Sequence, residues 1–154
     1  MPQVRLSPSG PFISFAVKAD ELFTAPADVS PAAGPAFTTV FSTGPIRLKR
    51  GAIVLASSVV AWRGATGDRI VLRAALLTSP GGVVAGTLGQ WTSPAVPAAL
   101  NALDQQATLQ GRFKVLSAGL YELHLQALSL AGAPKILGTV PGAQETTLQV
   151  QILI

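Results

Sequence analysis

The 154-residue chain has no cysteine, one histidine and one methionine. A disulfide-stapled scaffold and any cysteine-based zinc or redox site are thereby excluded. With His124 as the sole imidazole, a zinc or non-haem iron centre lacks the three or more ligands it needs. Catalytic constellations are missing too. There is no G-x-S-x-G elbow, and a Ser/His/Asp triad would have to recruit His124 from the middle of a strand. Gly64–Gly67 lacks a G-K-[ST] element and precedes a strand rather than a helix, so it does not read as a phosphate loop. Of the seven acidic residues, Asp20 and Glu21 fall in a Pro-rich segment, Asp68 in a turn and Glu145 at a strand start. None forms a recognisable glycosidase pair. Long apolar runs are also lacking. Ala52–Trp62 is well short of the ~20 residues a spanning helix requires, and it holds Ser57 and Ser58. MPQVRLSPSG has no basic region leading into an apolar run. The expectation is a chain that stays in the cytoplasm, or leaves by a route without a signal, such as lysis of a phage-infected cell.

Charge is the scarcest commodity. Charged residues make up 12%, about half the ~25% of an average soluble domain. Hydrophobic residues reach 49% with a net charge of +4, and mean hydropathy is +0.47, which excludes disorder. A folded monomer of this mass exposes roughly 7,300 Å², leaving one charge per ~400 Å² where soluble surfaces are far more densely decorated. The direct physical answer is that much of this surface meets protein, in a homo-oligomer or a larger assembly. The alternative is a monomer with a Ser/Thr/Gln/Ala surface.

Two zones differ in texture. Residues 1–45 form a Pro-rich N-terminal arm, with Pro2, Pro8, Pro11, Pro26, Pro31, Pro35 and Pro45 disfavouring long helices and central strands. Phe12–Val17 and Ala36–Ser42 are short extended pieces within it, and Ala25–Pro35 reads as an irregular linker. Such a terminus frays unless held, so the arm is expected to dock on its own subunit, a neighbour or a larger particle. Residues 46–154 read as strand, turn, strand. Residues 46–62 are β-rich, and Arg69–Thr78, Val83–Leu88, Thr108–Val115, Lys135–Val140 and Glu145–Ile154 follow between Gly/Pro turns. Residues 92–104 are loose, with one helical turn at AALNAL. In Leu120–Leu130, Tyr121, Leu123, Leu125 and Ala127 share one face and Glu122, His124 and Gln126 the other, the alternation of a half-buried strand. About eight to ten strands in one domain point to an all-β fold, an antiparallel two-sheet β-sandwich of jelly-roll type with an extended arm.

Ser117–Ala127, SAGLYELHLQA, resembles the strand motif of the tumour necrosis factor and complement globular-head superfamily. There a Gly, an aromatic and alternating apolar residues lie on a strand facing a trimer axis. Gly119, Tyr121, Leu123 and Leu125 fill that pattern, and GDRIVLRAALLTSPGGVVAG resembles a hairpin of bacterial and phage relatives. The resemblance spans residues 46–154. It implies a trimer, with Tyr121, Leu123 and Leu125 as candidate oligomer-interface residues.

Arg47, Lys49 and Arg50 cluster in sequence and are candidate partner-docking residues, although a continuous strand would put Arg50 on the opposite face from the other two. A pI of 10.1 permits an acidic protein surface or nucleic acid. Aromatics at 6% provide no interleaving for base stacking, so an acidic protein is favoured and nucleic acid is not expected. His124 reads as a surface or interface imidazole, or as a pH-sensitive subunit contact. Trp62 and Trp91 both read first as core or interface anchors. Trp91, assigned to a Gly89–Pro94 loop, is the candidate ligand platform. These features imply a non-enzymatic structural protein without cofactor or metal. The expectation is a self-associating, trimeric component of a phage virion, a capsid decoration or a tail or spike protein. The alternative is a lectin-like ligand- or receptor-binding module using Trp91, located in the cytoplasm or at a cell surface.

Overall fold

The structure, a computed structural model, describes residues 3–5, 14–140 and 144–154. Strands dominate it: β1 (Gln3–Arg5), β2 (Ser14–Thr24), β3 (Thr38–Ser42), β4 (Ile46–Leu48), β5 (Ile53–Arg63), β6 (Arg69–Thr78), β7 (Val84–Thr92), β8 (Asp104–Lys114), β9 (Gly119–Ala131), β10 (Lys135–Ile136) and β11 (Thr147–Leu153). A single 3-10 turn, Ala98–Leu100, interrupts them at the expected AALNAL piece.

The strands pair antiparallel in two sheets. In the first the order is β1-β2-β11-β5-β8, with β10 continuing the line of β11 along β5. In the second, β3 and β4 lie end to end along β9, followed by β6 and β7. The chain passes from β2 to the second sheet (β3, β4), back to β5, over to β6 and β7, back to β8, over to β9 and back to β11. That interleaving of a six-stranded and a five-stranded antiparallel sheet is the jelly-roll topology.

Side-chain alternation explains the layering. On β5, Val54, Ala56, Val60 and Trp62 point inward, as do Leu148, Val150 and Ile152 on β11 and Tyr121, Leu123, Leu125 and Ala127 on β9. They meet in two continuous apolar clusters between the sheets. The RIVLRAALLT run of β6 is different. Ile70, Leu72 and Leu76 face the core, yet Val71, Ala75 and Leu77 on the outer face are also only 0–7% exposed. A strand shielded on both faces reads as a continuous apolar run rather than an alternation.

Along one side, β7 and β8 close the sandwich by direct backbone approach. A Cβ added at Gly111 would lie 1.5 Å from the Leu88 carbonyl oxygen, so only glycine fits.

Three expectations are corrected. The sandwich does not begin at residue 46: β2 pairs with β11 over most of its length and β3 pairs with β9. Pro26, Pro31 and Pro35 fall between β2 and β3, which is why that stretch looked irregular. Residues 46–62 are not one strand. Leu48 ends β4, and a turn through Gly51 at φ +87 sends the chain into the other sheet. Within β5, Ser58 is 1% exposed and its hydroxyl donates to the Thr147 carbonyl at 2.6 Å. Lys135–Val140 is a strand only over its first two residues.

The linker after β2 docks on its own subunit. Val29 and Ile136 exchange backbone hydrogen bonds at 2.9 and 2.8 Å, the Ala25 N–H donates to Thr146 at 2.8 Å, and Lys135 pairs with Asp28. Phe12, Ile13 and the Pro141-Gly142 turn lie outside the described residues.

Candidate functional site

Tyr121, Leu123 and Leu125, the candidate interface residues, are 7%, 0% and 0% exposed within the single chain. Their alternation was real, but the apolar face they share lies between the sheets, and the Tyr121 hydroxyl is tied to the Ser117 carbonyl at 2.6 Å. They are core residues, and Glu122, His124 and Gln126 form the opposite row of β9.

That row belongs to a chain of polar side chains crossing the outer face of the second sheet. Strand pairing sets Thr39 beside Gln126 and Gln126 beside Arg73, and His124 beside Ala75. The Arg73 guanidinium lies 3.8 Å from the centroid of the Phe37 ring, and its Nε donates to Gln126 Oε1 at 2.8 Å. Gln126 Nε2 donates to Thr39 Oγ1 at 3.5 Å, and Thr39 Oγ1 meets His124 Nδ1 at 3.1 Å. His124 Nε2 lies 3.0 Å from Glu122 Oε2, and the Ser79 hydroxyl donates to the other carboxylate oxygen at 3.2 Å. Partial burial draws the Arg73 pKa below its ordinary value, because the charged guanidinium loses hydration. With Nε2–H donating to Glu122, Nδ1 accepts from the Thr39 hydroxyl. With both nitrogens protonated, Nδ1 donates to the same oxygen. The imidazole can therefore keep its place in either charge state.

The basic candidates sit elsewhere. Arg47 is exposed on β4, and Lys49 and Arg50 are exposed in the β4–β5 turn. Since the strand ends at Leu48, the cluster is not divided between two sheet faces as expected. Two hydrogen bonds of 2.8 Å pin this turn to Val115, in the β8–β9 connection, and so bring Lys114 and Leu116 alongside. A hollow of about 520 Å³ is lined by Arg50, Gly51, Lys114, Val115 and Leu116. Sequence reading missed Lys114 and Leu116, because only the pairing of β5 with β8 places them next to Arg50.

Trp91 lies in β7, not in a loop. Its ring packs edge-on against Trp62, with centroids 6.1 Å apart at 65°, and is half-buried against the core. Among the described residues no group of three or more His, Cys, Asp or Glu could hold a metal ion, and no helix is long and apolar enough to cross a membrane.

No protein-family model matches the chain and no curated protein matches it. Solved structures do. T=1 particles derived from infectious bursal virus superpose with a TM-score of 0.51 at 13% identity, covering 99% of this chain and 40% of theirs. The likeness is one of fold. The VP2 subviral particle of infectious bursal disease virus gives a TM-score of 0.47 at 14% identity, over 99% of this chain and 43% of that one. Eiger TNF from S. frugiperda gives 0.45 at 13% identity, over 91% of this chain and 90% of that one. The chain thus spans about two fifths of the viral chains it resembles.

Proposed function

We propose that this jelly roll is a non-enzymatic structural subunit of a virion, a capsid decoration or a tail or spike component of a bacteriophage. It self-associates, with a trimer the favoured state. The observation that carries this reading is the outer face of the second sheet. There Val71, Ala75, Leu77, Leu128 and Gln126 are 0–8% exposed, and the ionisable Arg73, His124 and Glu122 are each already hydrogen-bonded to neighbours. Association normally costs the ordering of side chains and the desolvation of polar groups that end up poorly paired. A face whose side chains are ordered and mutually satisfied in the free chain has met much of that cost beforehand.

The rest of the surface agrees. Eighteen formally charged residues are spread over 8294 Å², thinner than the expected area implied. Each 1,000 Å² of apolar surface covered by a neighbour supplies ~25 kcal/mol before association costs of ~4–15 kcal/mol. Arg47, Lys49 and Arg50 serve as docking contacts to other components of the particle. Mass spectrometry of purified particles tests the role: the reading expects this chain in amounts stoichiometric with the other structural proteins. Its absence from every particle fraction would overturn it.

A further inference from the structure

Charge is sorted between the two ends of the sandwich. At the end formed by the β5–β6, β7–β8 and β9–β11 connections, two cations are matched, Arg63 with Asp104 and Lys135 with Asp28, while the exposed Arg69 forms no ion pair among the described residues. Asp28, Asp68, Asp104 and Glu145 all fall at or beside this end. At the other end the β4–β5, β6–β7 and β8–β9 connections contain no acidic residue. Lys49, Arg50 and Lys114 are exposed there and form no ion pair among the described residues. The same end carries Leu116 at 71% and Val83 at 65% exposure. Unmatched cations beside exposed aliphatic surface are complementary to a partner that supplies both carboxylate and apolar contact.

We propose that the hollow between the β4–β5 turn and the β8–β9 connection docks an acidic protein segment bearing an aliphatic side chain. Arg50 and Lys114 hold the carboxylate, and the aliphatic group lies against Leu116. The proposal rests on the reading of the chain as part of a larger assembly and names the chemistry of its partner. A second copy of the chain is a poorer occupant. Its Asp28, Asp104 and Glu122 are committed to ion pairs, and its buried Asp68 accepts the Ala65 N–H at 2.9 Å. That leaves Glu21 and Glu145 as its exposed carboxylates outside ion pairs among the described residues; loss of oligomer mass in the double variant Arg50→Glu, Lys114→Glu would assign the hollow to them instead. Nucleic acid would find no aromatic residue in these connections on which to stack a base. A lipid surface would meet the projecting Leu116 and Val83 but leave a hollow of about 520 Å³ unfilled.

The test is fluorescence anisotropy of the full chain with a labelled peptide of alternating Glu and Leu. Phosphatidylglycerol vesicles, a single-stranded oligonucleotide and a Glu/Gly peptide are the competitors. The expected result is saturable binding of the Glu/Leu peptide that weakens with salt. The double variant Arg50→Glu, Lys114→Glu should weaken it at least about tenfold and Leu116→Ser about threefold, with melting temperatures unchanged. Absence of peptide binding, equal affinity in the charge-reversed variant, equal affinity for the Glu/Gly peptide, or tighter binding of vesicles or oligonucleotide would each overturn the proposal. Light scattering on the same samples separates the two readings. Lost peptide binding with the oligomer intact removes only this site, whereas a chain monomeric throughout removes the assembly role.

Discussion

Truncating Leu123 to alanine separates a core role for β9 from an interface role. Leu123 is fully buried inside one chain, in the same cluster as Leu76, Val54 and Tyr121. Removing its isobutyl group costs the transfer energy of the lost atoms plus the cavity left behind, about 2–5 kcal/mol for leucines in well-packed cores. Taking ~3 kcal/mol, and about 2–4 °C per kcal/mol for a domain of this size, the melting temperature falls by roughly 6–12 °C. Because the cavity lies within the subunit, the difference from the parent should hold as protein concentration is varied about a hundredfold, whereas a lost subunit contact would give a concentration-dependent deficit. Leu120→Ala, at a side chain 40% exposed, is the control and should stay within about 0.5 kcal/mol. Calorimetric melts over a dilution series read both. A Leu123→Ala protein that melts with the parent but dissociates on dilution would refute the inward assignment of this face.

Gly111→Ala forces a methyl group into the Leu88 carbonyl and should cost at least ~2 kcal/mol or abolish soluble expression, seen in thermal melts. Trp91→Ala should lower stability by ~2 kcal/mol through the lost edge-on contact with Trp62, with glycan-array signals no different from the parent's. Arg73 should introduce no pH dependence. Its depressed pKa penalises the fold while the guanidinium is protonated, and relief comes only as pH rises through the folded value, above any working range. The melting difference between Arg73→Gln and the parent should therefore stay constant from mildly acidic to mildly alkaline buffer.

Local pattern made the strands legible. The alternation in LYELHLQA correctly separated Tyr121, Leu123 and Leu125 from Glu122, His124 and Gln126, because period two is a property of one strand. Which face would be covered by the same chain was not legible. That depends on a second sheet whose strands lie tens of residues away, and the family resemblance pointed the apolar row at a trimer axis. The prolines of residues 26–45 disguised β3 for a similar reason: a five-residue edge strand tolerates prolines just outside its ends. The polar chain from Arg73 to Ser79 joins β3, β6 and β9, and the hollow at Arg50 joins turns more than sixty residues apart. Both exist only through register between strands. Trp91 was misplaced because Gly89 looked like a loop, whereas at φ +139 it sits inside β7, against Gln110 of β8.

The measurement that bears most directly on the account is the solution mass of the full chain by light scattering across a wide concentration range, with Thr87→Arg as comparison. Thr87 is exposed on the outer face of β7, directly beside Ala75. The account predicts an oligomer, at about three times the 15.8 kDa chain for the favoured trimer, with Thr87→Arg shifted to single chains while its melting temperature is kept. A parent chain that scatters as a 15.8 kDa monomer at every concentration would contradict the account.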